Sequence, residues 1–578
     1  LLPKPTLPRL SYPALEGPAP NLKAALAVLF KGALIMRLRS VAAAIATLAL
    51  SATGLVACGD GGGATLDGAG DPNIVRTAAS EPHNGLIPTN TNESNGSQVL
   101  ELLYRGLVSY DENGRSHNQV ADSINSNPDS TEFTVRLKDG WTFTDGTPVI
   151  ADSFIDAWNY GAAGKNAQKQ QDFFSNIKGF EDVKDPSSSV EKLSGLQKVN
   201  DKEFTITLSD PDSQFPISLG ATPFFPLPQS FFDDPKSFGE HPVGNGPYKL
   251  DGQNAWTHNS SIRTVKNDKY AGDDKPKNGG VTFKLYENLD TAYTDLQASN
   301  LDIIGQTVPP TAMQTFKDDF PSTHLVKPIA SNGGFVIPQW LDHFGNDEEG
   351  HLRRQAISMA INRKQISDKI MNGTRVPAKD FTATTLGDVP NVEGSDVLDY
   401  NPDKAKELWK KADEIKPYSG KLEIAYNSDG GHKEWVEAVS NSIHNVLRID
   451  AMGKAYPNFK ALRNEVSSGS IHTAFRSGWQ ADFPSQANFL QPQFATNGAS
   501  NDGKYTNAEF DNLLKDASQE SDQKKAQEIY AKAQAILMRE LPEIPLFYYT
   551  ASAAWTTSLS NVNYDWKGVP IFTDITKS

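Results

Sequence analysis

Few residues in this chain are spaced for catalysis. His432-Lys-Glu434 begins like a zinc-binding helix but lacks the second histidine four positions after the first, so the paired imidazoles of such a site are missing. Ser175-Asn-Ile-Lys178 has the spacing of a serine nucleophile and its lysine, without the Ser-Asp-Asn and Lys-Thr-Gly partners that complete that site. There is no Gly-x-Ser-x-Gly elbow and no Gly-x-x-x-x-Gly-Lys-Ser/Thr phosphate loop; the run Gly59 to Gly63 precedes neither a lysine nor a helix of that kind. Asp347, Glu348 and Glu349 could offer an acid/base pair, but such a cluster reads first as a charged, solvated loop. These absences weigh against an enzyme without excluding one.

Cys58 is the one cysteine among 578 residues. A lone thiol cannot form an intramolecular disulfide and by itself points to a reducing compartment. Its context reverses that inference. Met36-Arg37-Leu38-Arg39 is cationic, Val41 to Leu50 is apolar, and Leu55-Val56-Ala57 places small residues before the cysteine. That order is a secretory signal, residues 36–57. The apolar run is shorter than the roughly 20 residues of a membrane span. A glycine-rich stretch, 58–72, follows as a flexible tether. Residues 1–35, Pro-rich and unlike any export signal, read as an upstream extension. A net charge of -15 argues against nucleic acid or anionic lipid as main partner.

The remaining length exceeds one compact core and predicts at least two lobes. Strands are expected at Asn73–Thr77, Lys202–Leu208, Lys421–Tyr426 and Ile471–Phe475, and a hairpin pairing Phe133–Leu137 with Trp141–Phe143 around Lys138-Asp139-Gly140. Asp145-Gly146-Thr147-Pro148 is a turn. Helical spacing marks Ser97–Arg105, Ala151–Tyr160, His351–Arg363, Asn401–Ala412 (opened by an Asn-Pro cap), His432–Arg448 and Ser521–Leu541, the last opened by a serine cap. Strands and helices interleave, which is an α/β pattern. No repeat at solenoid periods is present.

Six segments then carry a family resemblance. Leu103-Tyr-Arg-Gly-Leu-Val-Ser-Tyr-Asp-Glu-Asn-Gly114, Phe133 through Val149, His241-Pro-Val-Gly-Asn-Gly-Pro-Tyr248, Arg354 through Arg363 (with Asn362 where Asp is common), Tyr400-Asn-Pro-Asp-Lys-Ala405 and Ile544-Pro-Leu-Phe-Tyr-Tyr549 are similar, in this order, to the peptide/nickel class of extracellular solute-binding proteins of ABC importers. The stretch before Cys58 resembles a lipobox, whose cysteine is acylated and becomes the mature N-terminus. The likeness covers roughly 73 to 560. It implies an α/β fold of the two-lobed periplasmic-binding-protein type (class II, cluster C). Lobe I would be 73–108, 235–328 and 549–578, with an inserted domain at 109–234; lobe II would be 329–548. Partners implied are a solute, the transmembrane subunits of a permease with cytoplasmic ATPases, and the outer face of the bacterial cytoplasmic membrane through the Cys58 lipid. No cofactor, metal or nucleic acid is expected, and the state is a monomer.

Within that class the chain looks closest to oligopeptide binders, on Phe475-Arg476-Ser477-Gly478-Trp479-Gln480-Ala481-Asp482-Phe483. The resemblance puts Asp482 on a peptide α-ammonium, a charge-assisted bond in a dry site. It puts Arg476 on the C-terminal carboxylate of short peptides. His432, after Tyr426-Asn427-Ser-Asp-Gly-Gly431, falls where a second carboxylate partner can sit. Trp479, Gly478 and Tyr548 are candidate contacts that could equally be core or turn residues. Asn332-Gly333-Gly334-Phe335 reads either as backbone offered to the ligand or as a crossing segment with hinge freedom. Gly161 to Phe173 departs from the oligopeptide binders. A dipeptide, oligosaccharide or metal-chelate receptor of the same family, or an extracytoplasmic hydrolase, are the rivals.

Overall fold

The structure is a computed structural model that describes residues 73–386, 390–428, 431–496, 498 and 500–578. The upstream extension, the leader, Cys58 and the tether lie outside the described residues.

Alternating apolar and polar residues build a twelve-stranded sheet. From one edge, its main path runs Asp450–Tyr456, Lys421–Asn427, Ala474–Gln480, His324–Val336, Glu543–Trp555, Ile303–Ile304, Ile74–Ala79, Gly280–Leu285, Ser261–Lys266 and Tyr248–Leu250. The two central strands, His324–Val336 and Glu543–Trp555, are 13 residues each and antiparallel. At about 3.3 Å per residue each reaches about 40 Å, enough to serve two lobes. His324–Pro328 pairs with Thr550–Ala554 and Asn332–Val336 with Glu543–Tyr548; the register slips between Pro328 and Asn332 and again between Gly333 and Gly334. One half of the pair borders the strands near the chain's start and the other half borders Ala474–Gln480. This is a two-lobed α/β fold joined by crossing strands.

Two large cores follow that division. One gathers Val75, Phe283 and Phe572 with Trp158 and Phe204, so the four-stranded sheet of Ala121–Ser126, Glu132–Leu137, Glu203–Thr207 and Leu196–Asn200 shares its apolar interior. The other holds Phe335, Trp409, Ile424, Trp435 and Ile544. The Gly-Asn-Gly turn at 244–246 explains itself by a close approach. A Cβ on Gly244 would stand 1.9 Å from the Leu103 carbonyl oxygen, and Gly246 donates its N–H to that same oxygen at 2.8 Å. Buried arginines tie the second lobe together: Arg354 donates to the Ile337 carbonyl at 2.7 Å and Arg363 to that of Pro545 at 2.8 Å.

Four local expectations need correction. Phe133 to Leu137 does not pair with Trp141–Phe143; it lies between Ala121–Ser126 and Glu203–Thr207. Trp141 and Phe143 instead close on Val149 and Thr147 around the Asp145-Gly146 turn. The expected helix His351–Arg363 is two: Glu348–Met359, and Arg363–Lys369 capped by Asn362. Asp347 caps the first by accepting the Gly350 N–H at 2.8 Å, so the acidic cluster is a helix start and not a solvated loop. Its Glu349 is buried, 2.6 Å from His343 and 2.9 Å from Arg353. The last long helix, Gln523–Glu540, is capped by Asp522 and not by Ser521; the aspartate accepts two backbone N–H groups at once.

Candidate functional site

Ala474–Gln480 carries three of the nominated residues, Arg476, Gly478 and Trp479, and Asp482 follows two positions after its end. On one side it pairs with Ser331–Val336 from Phe475 to Gln480. On the other, Lys421–Asn427 pairs with it only at Ala474 and Phe475. From Ser477 to Gln480 that second edge has no strand partner among the described residues, and Gly478 and Gln480 are exposed. An open edge is a template on which an extended chain can add its own main-chain hydrogen bonds.

A cavity flanks each end of this edge. The first, about 210 Å³, has Gln480, Ala481 and Asp482 on one wall and Glu93, Gln98, Glu101 and Lys567 on the other. Both lobes line it. The Asp482 carboxylate faces the cavity and is open to water there, yet protein surrounds it closely enough that burial raises its pKa. Its own backbone N–H and two neighbouring groups oppose the rise. Asn488 donates Nδ2–H to Oδ2 at 3.2 Å, and the Lys567 ammonium attracts the charge. Lys567 is ion-paired with Glu101. Asn488 is itself fixed: its Oδ1 accepts the Asp482 N–H at 3.0 Å and the Trp479 indole N–H at 3.1 Å. It sits in the first turn of Gln486–Phe494, which Ser485 caps. Glu93, Glu101 and Asp482 against Lys567 give the cavity lining a net negative charge, with Glu93 also capping the helix Ser94–Leu103.

The second cavity, about 250 Å³, holds Arg476, Ser477, Gly478 and Trp479 together with Phe459, Arg463, Asp502 and Glu543. Arg476 donates Nε–H to Asn427 at 2.8 Å, and its guanidinium lies 4.7 Å from the centre of the Phe459 ring.

A cleft between two lobes that offers a recessed acid and an open strand edge is the geometry of a solute receptor, and the sequence comparisons agree. The family model for bacterial extracellular solute-binding proteins, family 5 (middle segment), matches residues 116–501, more than half of the chain. The chain belongs to this family. It is 27% identical to the oligopeptide-binding protein OppA of Bacillus subtilis over 531 residues, covering 90% of this chain and 95% of that protein. Among solved structures, the unliganded open form of the murein-tripeptide-binding protein MppA superposes with a TM-score of 0.72 at 23% identity, covering 88% of this chain and 98% of the other. Haemophilus influenzae OppA in complex with the peptide RPPGFSPFR gives 0.71 at 22%, covering 87% and 99%.

The other nominated residues of this solute-binding protein divide by position. Gly334 lies between Ser477 and Pro545 on its two neighbours, and a Cβ there would meet the Ile544 carbonyl at 2.3 Å. Its segment is therefore a crossing strand, paired on both edges, and not an edge offered to a ligand. Tyr426 points the opposite way from Asn427, as alternation requires, and packs in the second core at 6% exposure. The Tyr548 hydroxyl accepts the N–H groups of Lys379 and Asp380, each at 3.0 Å. Its ring joins Trp479, Phe489, Trp566 and Tyr110 in a small apolar cluster beneath the cleft. His432 precedes the helix Lys433–Leu447, accepts the Trp435 indole N–H at 3.2 Å and lines neither cavity. Sequence reasoning missed Asn488, Lys567, Glu101 and Glu543. Only Asn488, six residues past Asp482 in a capped helix start, had a local signal.

The lobes also meet away from the cleft. Ser213, in the segment between Glu203–Thr207 and the next helix, donates its N–H to Ser518 at 2.6 Å and its hydroxyl to the Glu520 carbonyl at 2.5 Å. Among the described residues no helix is long and apolar enough to cross a membrane, and no group of His, Cys, Asp and Glu could hold a metal ion.

Proposed function

We propose that this protein captures oligopeptides between its lobes and delivers them to an ABC permease driven by cytoplasmic ATPases. It works as a monomer without catalysis, held at the outer face of the cytoplasmic membrane by a lipid on Cys58. Its lobes are 73–108, 235–328 and 549–578, with the insert 109–234, against 329–548; the register slip between Pro328 and Asn332 supports the division within the crossing strands. The observation that carries the reading is Asp482, a recessed carboxylate at the end of an open strand edge, in a cavity lined from both lobes.

An extended peptide suits that arrangement. Its main chain pairs with the edge, its α-ammonium meets Asp482, and Trp479 and Gly478 border its path. Arg476, held by Asn427 and Phe459, faces the carboxylate of a short peptide. Water in the cavities adapts to different side chains. Lobe closure over the ligand excludes bulk solvent and creates the form that a permease can recognise. Relatives carrying the names oligopeptide-binding and dipeptide-binding protein support the ligand class.

Native mass spectrometry of the purified protein, followed by sequencing of released ligands, tests this. Peptides with free amino termini, recovered uncleaved, are the expected result. An empty protein that shows no thermal shift with any peptide pool, or cleaved products, would overturn it.

A further inference from the structure

The second cavity contains an acid that the peptide-capture scheme does not use. Glu543 opens the second crossing strand, opposite Val336. Only 5% of its surface is exposed, and what remains lines the cavity. One carboxylate oxygen lies 2.9 Å from where a Cβ on Gly334 would be, so the glycine leaves the acid its room. Beside it stands Ser477, the register partner of Gly334, whose buried hydroxyl completes no hydrogen bond. The hydroxyl is near enough to temper the acid, but burial dominates and pushes Glu543 up to about 7.

The charged groups of the same cavity are engaged elsewhere. Arg463 is 2.6 Å from Asp502, and Arg476 bonds Asn427 and lies over Phe459. Neither they nor Asp502 shift Glu543, whose titration answers only to burial and Ser477. A carboxylate with no cationic partner and the hydroxyl that tempers it, both on a cavity wall, form an acceptor pair with room for a donor. Phe459, Leu462, Phe475 and Phe494 add apolar surface to the same cavity. Apolar surface in one cavity with a buried acid matches a side chain with an aliphatic stem and a cationic head.

We propose that this cavity is a side-chain pocket that selects a lysine or arginine of the bound peptide, with Glu543 as its counter-charge and Ser477 as a second acceptor. The inference rests on the peptide-capture reading and adds a preference to it. The cavity lies along the same strand edge as Asp482, on the Arg476 side, so it receives a residue downstream of the peptide's amino terminus.

The test uses the full protein and penta-alanine peptides carrying one lysine, or one norleucine, at each of positions 2 to 5, by calorimetry. At one position lysine should bind tenfold or more tighter than norleucine, and Glu543→Gln should abolish that ratio while leaving penta-alanine affinity unchanged. Binding of the preferred peptide near pH 7 should release a fraction of a proton, measured in two buffers of different ionisation enthalpy, and Glu543→Gln should release none. A lysine-to-norleucine ratio near one at every position, or a ratio that survives Glu543→Gln, overturns the pocket. Penta-alanine that binds with normal affinity in those cases leaves peptide capture standing. Penta-alanine and all its variants failing to bind wild-type protein defeats both readings.

Discussion

Replacing Asp482 by alanine removes the acceptor from the cavity and leaves the rest of its lining in place. In the free protein this carboxylate is incompletely compensated: burial opposes its charge, and an Asn488 hydrogen bond, the attraction of Lys567 and its own backbone N–H favour it without offsetting that cost. A peptide ammonium would supply the missing partner. Truncating one member of such a desolvated pair costs about 2–5 kcal/mol. Glu93 and Glu101 still line the cavity after the substitution, and Lys567 already occupies Glu101, so the lower part of that range applies. A loss of about 2–3 kcal/mol corresponds to about 30- to 150-fold in affinity. Calorimetry with penta-alanine and its N-acetyl form at pH 7 reads this directly: the free-amine peptide should show the full loss and the acetylated one less than about threefold. The pH dependence has a definite sign. Because the folded, unliganded site holds its proton above the ordinary aspartate range, affinity for the ammonium falls as pH drops through that raised pKa. The alanine variant should lack that fall. Equal losses for both peptides would refute the assignment.

Other consequences are as concrete. Asn488→Ala strands the Trp479 indole N–H and the Asp482 backbone N–H; at about 1–3 kcal/mol for each buried orphan, a clear drop in the chemical-denaturation midpoint is expected together with weaker peptide binding. Ser213→Ala deletes the hydroxyl bond to Glu520 and should weaken peptide affinity by about two- to twelvefold with little change in unliganded stability, at the roughly 0.5–1.5 kcal/mol of one net hydrogen bond. Glu543, at about 7 when folded, binds more protons in the native than in the unfolded state between its ordinary value and neutrality. Folding stability should therefore decline as pH rises across that window, by up to ~3 kcal/mol, and Glu543→Gln should flatten the decline in denaturant titrations.

What the sequence could announce was local. Asn401 caps the helix Pro402–Ile415 by accepting the Lys404 N–H at 3.1 Å, a nearest-neighbour event visible as Asn-Pro. The Gly-x-Gly-Pro-Tyr turn and the motif bearing Asp482 were legible as short patterns, though the strand expected at Ile471–Phe475 runs Ala474–Gln480. Pairing partners were not. Phe133–Leu137 alternates correctly whichever strand lies beside it, and only the tertiary fold sends Glu203–Thr207 there instead of Trp141–Phe143. The same limit hid half of the site. Lys567 and Glu101 lie 466 residues apart in the chain and Glu543 acquires its character only from burial, so no spacing rule connects them to Asp482 or to Arg476. Tyr426 and Asn427 were adjacent in the motif but fall on opposite faces of one strand, which separates a core residue from the partner of Arg476.

The crossing strands also set the order in which the chain can finish folding. The first lobe's sheet takes Ala551–Trp555 beside strands made from residues 74–79 and 303–304, and the tail is stitched in behind it. Lys577 reaches the Ile74 carbonyl at 2.8 Å and Asp302 at 2.7 Å, while Asn278 donates to the Phe572 and Ile575 carbonyls. The domain that starts first is thus completed last, by contacts of very high sequence separation, which form slowly. A chain lacking its last residues would lack these contacts, so the first lobe depends for its closure on segments from both ends of the sequence.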